Sequence, residues 1–256
     1  MLKKRLVGVV TIRNGWAVQS FGYRRYLPLG KPEILIENLD RWGADEILVQ
    51  CIDRSVNGAG PDFDLLERIG RIGVSTPLIY VGGIRDAVDA VRSVKLGADR
   101  VAVDAILRDC PEQLVKISKE LGAQALIADL PVRLEGDCLR WLDYRNRREE
   151  ALSGSILNVL EPRCVSEVML SDWSHEGSPQ SFDEALVNAF PLADMPLIVF
   201  GGLSTAAQMQ RLLERSQVVA AAVGNFLSYE EHAIQTFKRA LKGISLRPAV
   251  YSTHGY

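Results

Sequence analysis

At 256 residues, 47% apolar and 24% charged, the chain suits one large α/β domain or two small ones. Its formal net charge of −2 provides no broad field for nucleic acid or an anionic membrane, and its apolar runs are too short for a membrane span. The basic start "MLKKRLVGVV" imitates the front of an export signal, but Thr11, Arg13 and Asn14 end the apolar run early, and four cysteines without a CxxC pair make a reducing cytoplasm the expected setting.

Taken in chain order, short and nearly continuous apolar runs predict eight strands: Leu6–Ile12, Glu46–Ile52, Leu78–Val81, Arg100–Val103, Ala125–Leu130, Glu167–Ser171, Leu197–Phe200 and Val218–Val223. Such runs suit parallel strands covered on both faces. Amphipathic helices fill the gaps. "PEILIENLDRWG" closes at Gly43, a C′ glycine. "DAVDAVRSVKLG" sets Ala87, Val88, Ala90, Val91 and Val94 on one side and closes at Gly97. "PEQLVKISKELG" opens with Pro111 at the first helical position. Repeated strand–helix alternation at this length predicts a (β/α)8 barrel of the TIM type over residues 1–245, followed by a poorly ordered tail, 246–256. The alternative is an open, doubly wound sheet.

The chain also repeats itself. "EILVQCIDRSVNGAGPDFDLL" matches "EVMLSDWSHEGSPQSFDEAL", and "PLIYVGGI" matches "PLIVFGGL". Glu46 pairs with Glu167, Phe63-Asp64 with Phe182-Asp183, and Gly82-Gly83 with Gly201-Gly202, all at nearly constant offset. Two half-barrels built on one plan, about 1–122 and 123–245, explain the offset.

Each half carries a strand ending in Gly-Gly. Glycine lets backbone N–H groups approach an anion, and the helix that follows presents its positive end. Two such places, on the face where barrels commonly hold phosphate, predict a ligand with a phosphate at each end. The alternative is a tight turn and nothing more. Asp104 after the fourth strand, and Gly224 and Asn225 after the eighth, stand where they can assist.

"MLKKRL…NG", "GADEILVQCID", "VGGIRD", "LGADRVAVD", "SEVML", the Glu176-Gly177 pair and "FGGLST" together resemble the cyclase subunit of imidazole glycerol phosphate synthase over essentially the whole chain. The resemblance implies a (β/α)8 fold of two half-barrels and a cytoplasmic lyase of histidine biosynthesis. It also implies a substrate with two phosphates, no resident cofactor or metal, and ammonia delivered by a glutaminase subunit. It carries Arg5, Glu46, Arg100 and Glu167 onto the family's ring of charges at the barrel floor, where lysine is usual at the place of Arg100. All four begin strands, so they can form one alternating ring whose charges cancel. Stability alone is the alternative reading of such a ring.

At the catalytic face the sequence departs from the pattern. Thr11 stands where the family has a strand-one acid, and a hydroxyl is too weak an acid to shuttle protons near neutrality. The second catalytic aspartate matches Asp129 or, with the gap placed elsewhere, falls on Leu130. Gln19 stands for a loop-one lysine, Cys51 for a strand-two aspartate with Asp53 two residues on, and Glu176 for a phosphate-side aspartate beside Gly177 and Ser178. An altered proton-transfer pair on a kept scaffold points to a divergent paralogue. It leaves open an ammonia-supplied step on a nucleotide-linked sugar in surface-polysaccharide synthesis, or a non-catalytic protein that binds a phosphorylated ligand.

Loop one carries Trp16, Phe21, Tyr23, Arg24, Arg25 and Tyr26, residues suited to a lid that stacks on a base or grips phosphate. In the segment after the fifth strand, Arg145, Arg147 and Arg148 run into Glu149 and Glu150, which reads best as a solvated charge run. His175, in the strand-six loop, reads as a bystander near the substrate. His232 is assigned to the last helix and His254 to the tail, and no three ligands have metal spacing.

Overall fold

A computed structural model describes residues 3–248; His254 and most of the expected tail lie outside them. β1 (Arg5–Arg13) leads into a hairpin of β2 (Trp16–Phe21) and β3 (Arg25–Gly30), then α1 (Pro32–Arg41). The first half continues through β4 (Glu46–Cys51), α2 (Phe63–Ile72), β5 (Leu78–Val81), α3 (Ala87–Lys95), β6 (Arg100–Val103), α4 (Ala105–Asp109) and α5 (Glu112–Leu121). The second half opens with β7 (Leu126–Glu135), which runs into a meander of β8 (Cys138–Asp143) and β9 (Arg148–Ala151) before α6 (Gly154–Val159). It is completed by β10 (Glu167–Asp172), α7 (Ala185–Ala189), β11 (Leu197–Phe200), α8 (Ala206–Leu213), β12 (Val218–Val223) and α9 (Ala233–Ala240).

The parallel order β1-β4-β5-β6-β7-β10-β11-β12 closes when β12 pairs with β1, giving the expected eight-stranded (β/α)8 barrel. Alternation along each strand sorts side chains into two cores. One set, including Leu6, Val10, Ile47, Val49 and Leu130, meets the helices. The other, including Val7, Val9, Leu48, Ile79, Ile127, Met169 and Ile198, fills the barrel. The barrel interior is therefore a packed plug with a charged floor and an open mouth.

Five local expectations are corrected. Val88 is 74% exposed, because the buried face of α3 takes Asp89 instead. Asp89 accepts from the Arg85 guanidinium at 2.8 Å, and that pairing makes a buried carboxylate tolerable. Pro111 is the cap residue before α5, and His232 precedes α9 in a left-handed conformation. Loop one is a β-hairpin hydrogen-bonded to β1. The expected tail begins inside the fold, since Leu246 bridges to Lys4 and packs on the outer core.

α9 is fastened to the barrel floor by a buried ion pair. Lys238 Nζ lies 2.7 Å from Asp45 Oδ1 and donates to the Gly43 carbonyl at 2.8 Å, while Asp45 Oδ2 accepts from the Leu6 N–H. Removing only the cation strands a buried carboxylate. Lys238→Met is expected to cost about 3–5 kcal/mol, and Lys238→Met with Asp45→Asn less, as read by urea denaturation.

Candidate active site

At the floor, the inward-pointing first residues of β1, β4, β6 and β10 meet as a closed ring. Arg5 Nη1 lies between the carboxylate oxygens of Glu46, 3.1 Å from Oε1 and 3.0 Å from Oε2. Arg5 Nη2 donates to Glu167 at 2.5 Å, Arg100 Nη1 to Glu46 at 3.0 Å and Arg100 Nη2 to Glu167 at 2.8 Å. Each arginine thus bridges two glutamates. The geometry depends on guanidinium's planar fork, which one ammonium point charge does not reproduce. Side-chain exposures of 7–17% place the ring out of bulk water but open enough to touch its edge.

At the opposite end a cavity of about 430 Å³ opens over the C-terminal ends of β4 to β10. Asp129 lines it, and Leu130 faces the helices, so the residue of the "ALIADLPVR" run that meets the mouth is Asp129. Asp129 is 4% exposed and accepts from the Ser171 hydroxyl at 2.6 Å. Burial, with the charge of Asp104 added and the Ser171 hydrogen bond opposing, pushes its carboxyl up to about 7. A carboxyl in that range exchanges protons at physiological pH.

Thr11 points inward on β1 but does not line this cavity. Its hydroxyl donates to Gln50 at 3.4 Å, and Gln50 Nε2 donates to the Tyr23 hydroxyl at 3.2 Å. Thr11 lines instead a second cavity of about 200 Å³ between β1, α1 and the turn after β12. Gln19 is buried on β2, whereas Cys51 and Asp53 both reach the large cavity.

The two glycine pairs share one construction. A Cβ on Gly82 would stand 2.4 Å from the Cys51 carbonyl, and one on Gly201 would stand 2.4 Å from the Asp172 carbonyl, so only glycine fits either place. Their surroundings differ. Gly83 N–H donates to Ser55 at 2.9 Å, and Asp104 Oδ1 accepts from the first N–H of α4 at 2.6 Å, while Asp104 Oδ2 takes the Tyr144 hydroxyl. In the second half, Glu176, Gly177, Gly201, Gly202, Gly224 and Asn225 converge on one cleft of about 10 Å³, room for about one water. The hairpin keeps this cleft narrow. Ser20 and the Tyr23 N–H donate to Glu176 at 3.0 and 3.3 Å, and Asn225 exchanges two hydrogen bonds with the Ser20 backbone.

Tyr144, Gln50 and Ser171 are site residues that the sequence reading did not single out. Tyr144 lies on a hairpin turn 40 positions from the aspartate it meets, and no local pattern marks that meeting. Of the segment expected to be a solvated charge run, Arg148 is exposed, but Arg145 and Arg147 line the cavity. Arg145 is held by Asp109 and Asp143. His175 Nδ1 lies 2.7 Å from the buried Asp172, outside the large cavity. Among the described residues no cluster has metal-binding geometry, and no helix is long and apolar enough to cross a membrane.

Known proteins of similar sequence match this chain over nearly its whole length. A provisionally named imidazole glycerol phosphate synthase subunit hisF2 of Vibrio vulnificus is 25% identical, covering 100% of this chain and 94% of that protein. Imidazole glycerol phosphate synthase subunits HisF of Streptococcus mutans and Solibacter usitatus are 25% and 28% identical, each covering 96% of this chain and 99–100% of their own length. The histidine biosynthesis protein family matches residues 5–233, from the first ring arginine to the start of α9, and the chain belongs to that family.

Proposed function

We propose that this chain is the barrel subunit of a glutamine-dependent synthase, of the cyclase type that forms imidazole glycerol phosphate. Ammonia made by a glutaminase subunit docked at the floor passes the Arg5–Glu46–Arg100–Glu167 ring, rises through the barrel and attacks a phosphorylated substrate at the mouth. Asp129 takes the proton that the nitrogen loses on bond formation. Gln50 and Ser171 hold the reacting groups by hydrogen bonds, and Thr11, lacking an exchangeable proton near neutrality, acts only by hydrogen bonding to Gln50. Confinement does much of the remaining work by aligning nucleophile and substrate.

The observation that carries the reading is the pairing of a closed Arg–Glu ring at one end with a neutral-range carboxyl at the other end of the same barrel. The four cysteines of the described structure are unpaired, which suits a reducing cytoplasm. The test supplies the purified chain with the family's bisphosphate aminoimidazole substrate at saturating concentration and an ammonium salt. The expected result is ammonium-dependent release of an imidazole product, lost in Asp129→Asn. Folded protein that forms no such product overturns the assignment.

A further inference from the structure

Hydroxyl groups line the large cavity at Tyr23, Tyr26, Tyr144 and Ser171. Two of them are committed to carboxylates: Ser171 donates to Asp129 at 2.6 Å, and Tyr144 donates to Asp104. Tyr26 lies under the Arg13 guanidinium, whose carbon stands 4.4 Å from its ring centre. Tyr23 differs from all three in where its ring sits and in what its oxygen already receives.

Tyr23 stands on the turn between β2 and β3 with φ 52°, a left-handed backbone that a side chain of this size seldom adopts. Glu176 holds the turn there. Its carbonyl accepts from the Gly22 N–H at 2.9 Å and its carboxylate from the Tyr23 N–H at 3.3 Å. The Tyr23 ring packs on the inner core of the barrel, and its hydroxyl meets Gln50 in the cavity wall. The phenol oxygen lies 3.2 Å from Gln50 Nε2 and 3.4 Å from Gln50 Oε1. Thr11 donates to Oε1 at 3.4 Å, and this turns the amide N–H toward Tyr23. An oxygen that accepts from an amide keeps its own proton to give. Burial, then the charges of Glu176 and Asp129, push this hydroxyl well above the ordinary phenol value, so it keeps its proton throughout the neutral range.

Bond making at the mouth needs such a donor. When ammonia attacks a carbonyl carbon, the C–N bond forms and the C=O π pair moves onto oxygen. Asp129 takes the proton that the nitrogen loses and returns it to that oxygen, so atoms and charge balance with a single acid. In the interval the oxygen is negative, and a fixed donor that does not itself ionise lowers the barrier. The strand-one position supplies no acid, but through Thr11 and Gln50 it supplies an aimed hydroxyl.

We propose that Tyr23 is a catalytic residue of the synthase reaction: its hydroxyl donates a hydrogen bond to the substrate oxygen on which charge develops, and Thr11, acting through Gln50, is the positioning residue that aims it. The proposal rests on the synthase reading of the mouth and names the group that does the work of the missing strand-one acid.

Steady-state turnover of the full chain with the bisphosphate aminoimidazole substrate and an ammonium salt tests it. Urea denaturation of each variant supplies the folded fraction to which rates are normalised. Tyr23→Phe keeps the ring on the inner core and removes only the hydroxyl. It is expected to lower kcat by about 10²–10³-fold, with KM within about threefold of the parent and the rise of kcat/KM through about pH 7 retained. Thr11→Val is expected to lower kcat by about tenfold with the same signature, and Thr11→Ser to restore it. The Thr11 pair decides the matter even where Tyr23→Phe yields no folded protein. A kcat for Tyr23→Phe within about threefold of the parent, a loss carried by KM, disappearance of the pH limb, or a Thr11→Ser no better than Thr11→Val would each overturn the proposal. A parent that forms no product removes the synthase reading and this proposal with it. An active parent equalled by Tyr23→Phe removes this proposal alone.

Discussion

Asp129→Asn is expected to lower ammonia-dependent turnover by about 10²–10⁴-fold, the usual worth of a positioned proton acceptor. Asparagine keeps the shape and a partner for Ser171 but binds no proton near neutrality. With aspartate the ionised form is the acceptor, so kcat/KM should rise with pH through about 7 and level off above it. The asparagine variant should lose that limb. The same substitution has an opposite effect on the fold. The folded carboxyl titrates near 7, above an unfolded value of about 3.9, so the unfolded chain gives up its proton first. The stability that the protonated carboxyl leaves intact below pH 4 is lost as pH rises from about 4 to the folded value. At pH 8 the asparagine variant should therefore resist urea better than the parent, by on the order of 2–4 kcal/mol. Reduced activity with raised stability separates a proton-transfer role from a packing role, because a packing residue would lose both.

The sequence carried the barrel clearly because short apolar runs alternate eight times with amphipathic helical patterns, as parallel strands covered on both faces require. The floor ring was legible through the family resemblance, which marks these four positions; that each is the first residue of its strand, and that period two turns all four inward, is what the strand pattern adds. The mouth was less legible. β2 and β3 read as loop because Pro28 and exposed positions break their apolar pattern, and their pairing with β1 is what makes them strands. Val88 was placed on the wrong side of its helix because apolar periodicity does not count an acid that a guanidinium neutralises, as Arg85 does for Asp89. The Asp104–Tyr144 contact joins β6 to the β8–β9 turn, and only closure of the fold creates it.

Arg100→Met is expected to lower stability sharply by breaking the floor ring. Arg100 donates to both ring glutamates, to Ser166 and to the Gln124 carbonyl, so its removal leaves the buried Glu46 and the half-buried Glu167 each with one arginine. The cost for such a half-broken network is about 3–5 kcal/mol, a fall in melting temperature of roughly 6–20 °C for a chain of this size. The functional consequence is read in the holoenzyme by comparing two nitrogen sources. Turnover with ammonium salt reaches the mouth through solvent and should be largely kept, whereas turnover with glutamine depends on the floor and should fall. A ring that serves only stability would lower both sources in proportion to the folded fraction. Arg100→Lys sharpens the comparison. A lysine keeps the charge balance but reaches one glutamate at a time, so it should recover much of the stability while widening the ring. Glutamine-driven turnover that follows stability through both variants, with no separate response to the shape of the ring, would remove the passage from the mechanism and leave a structural clasp.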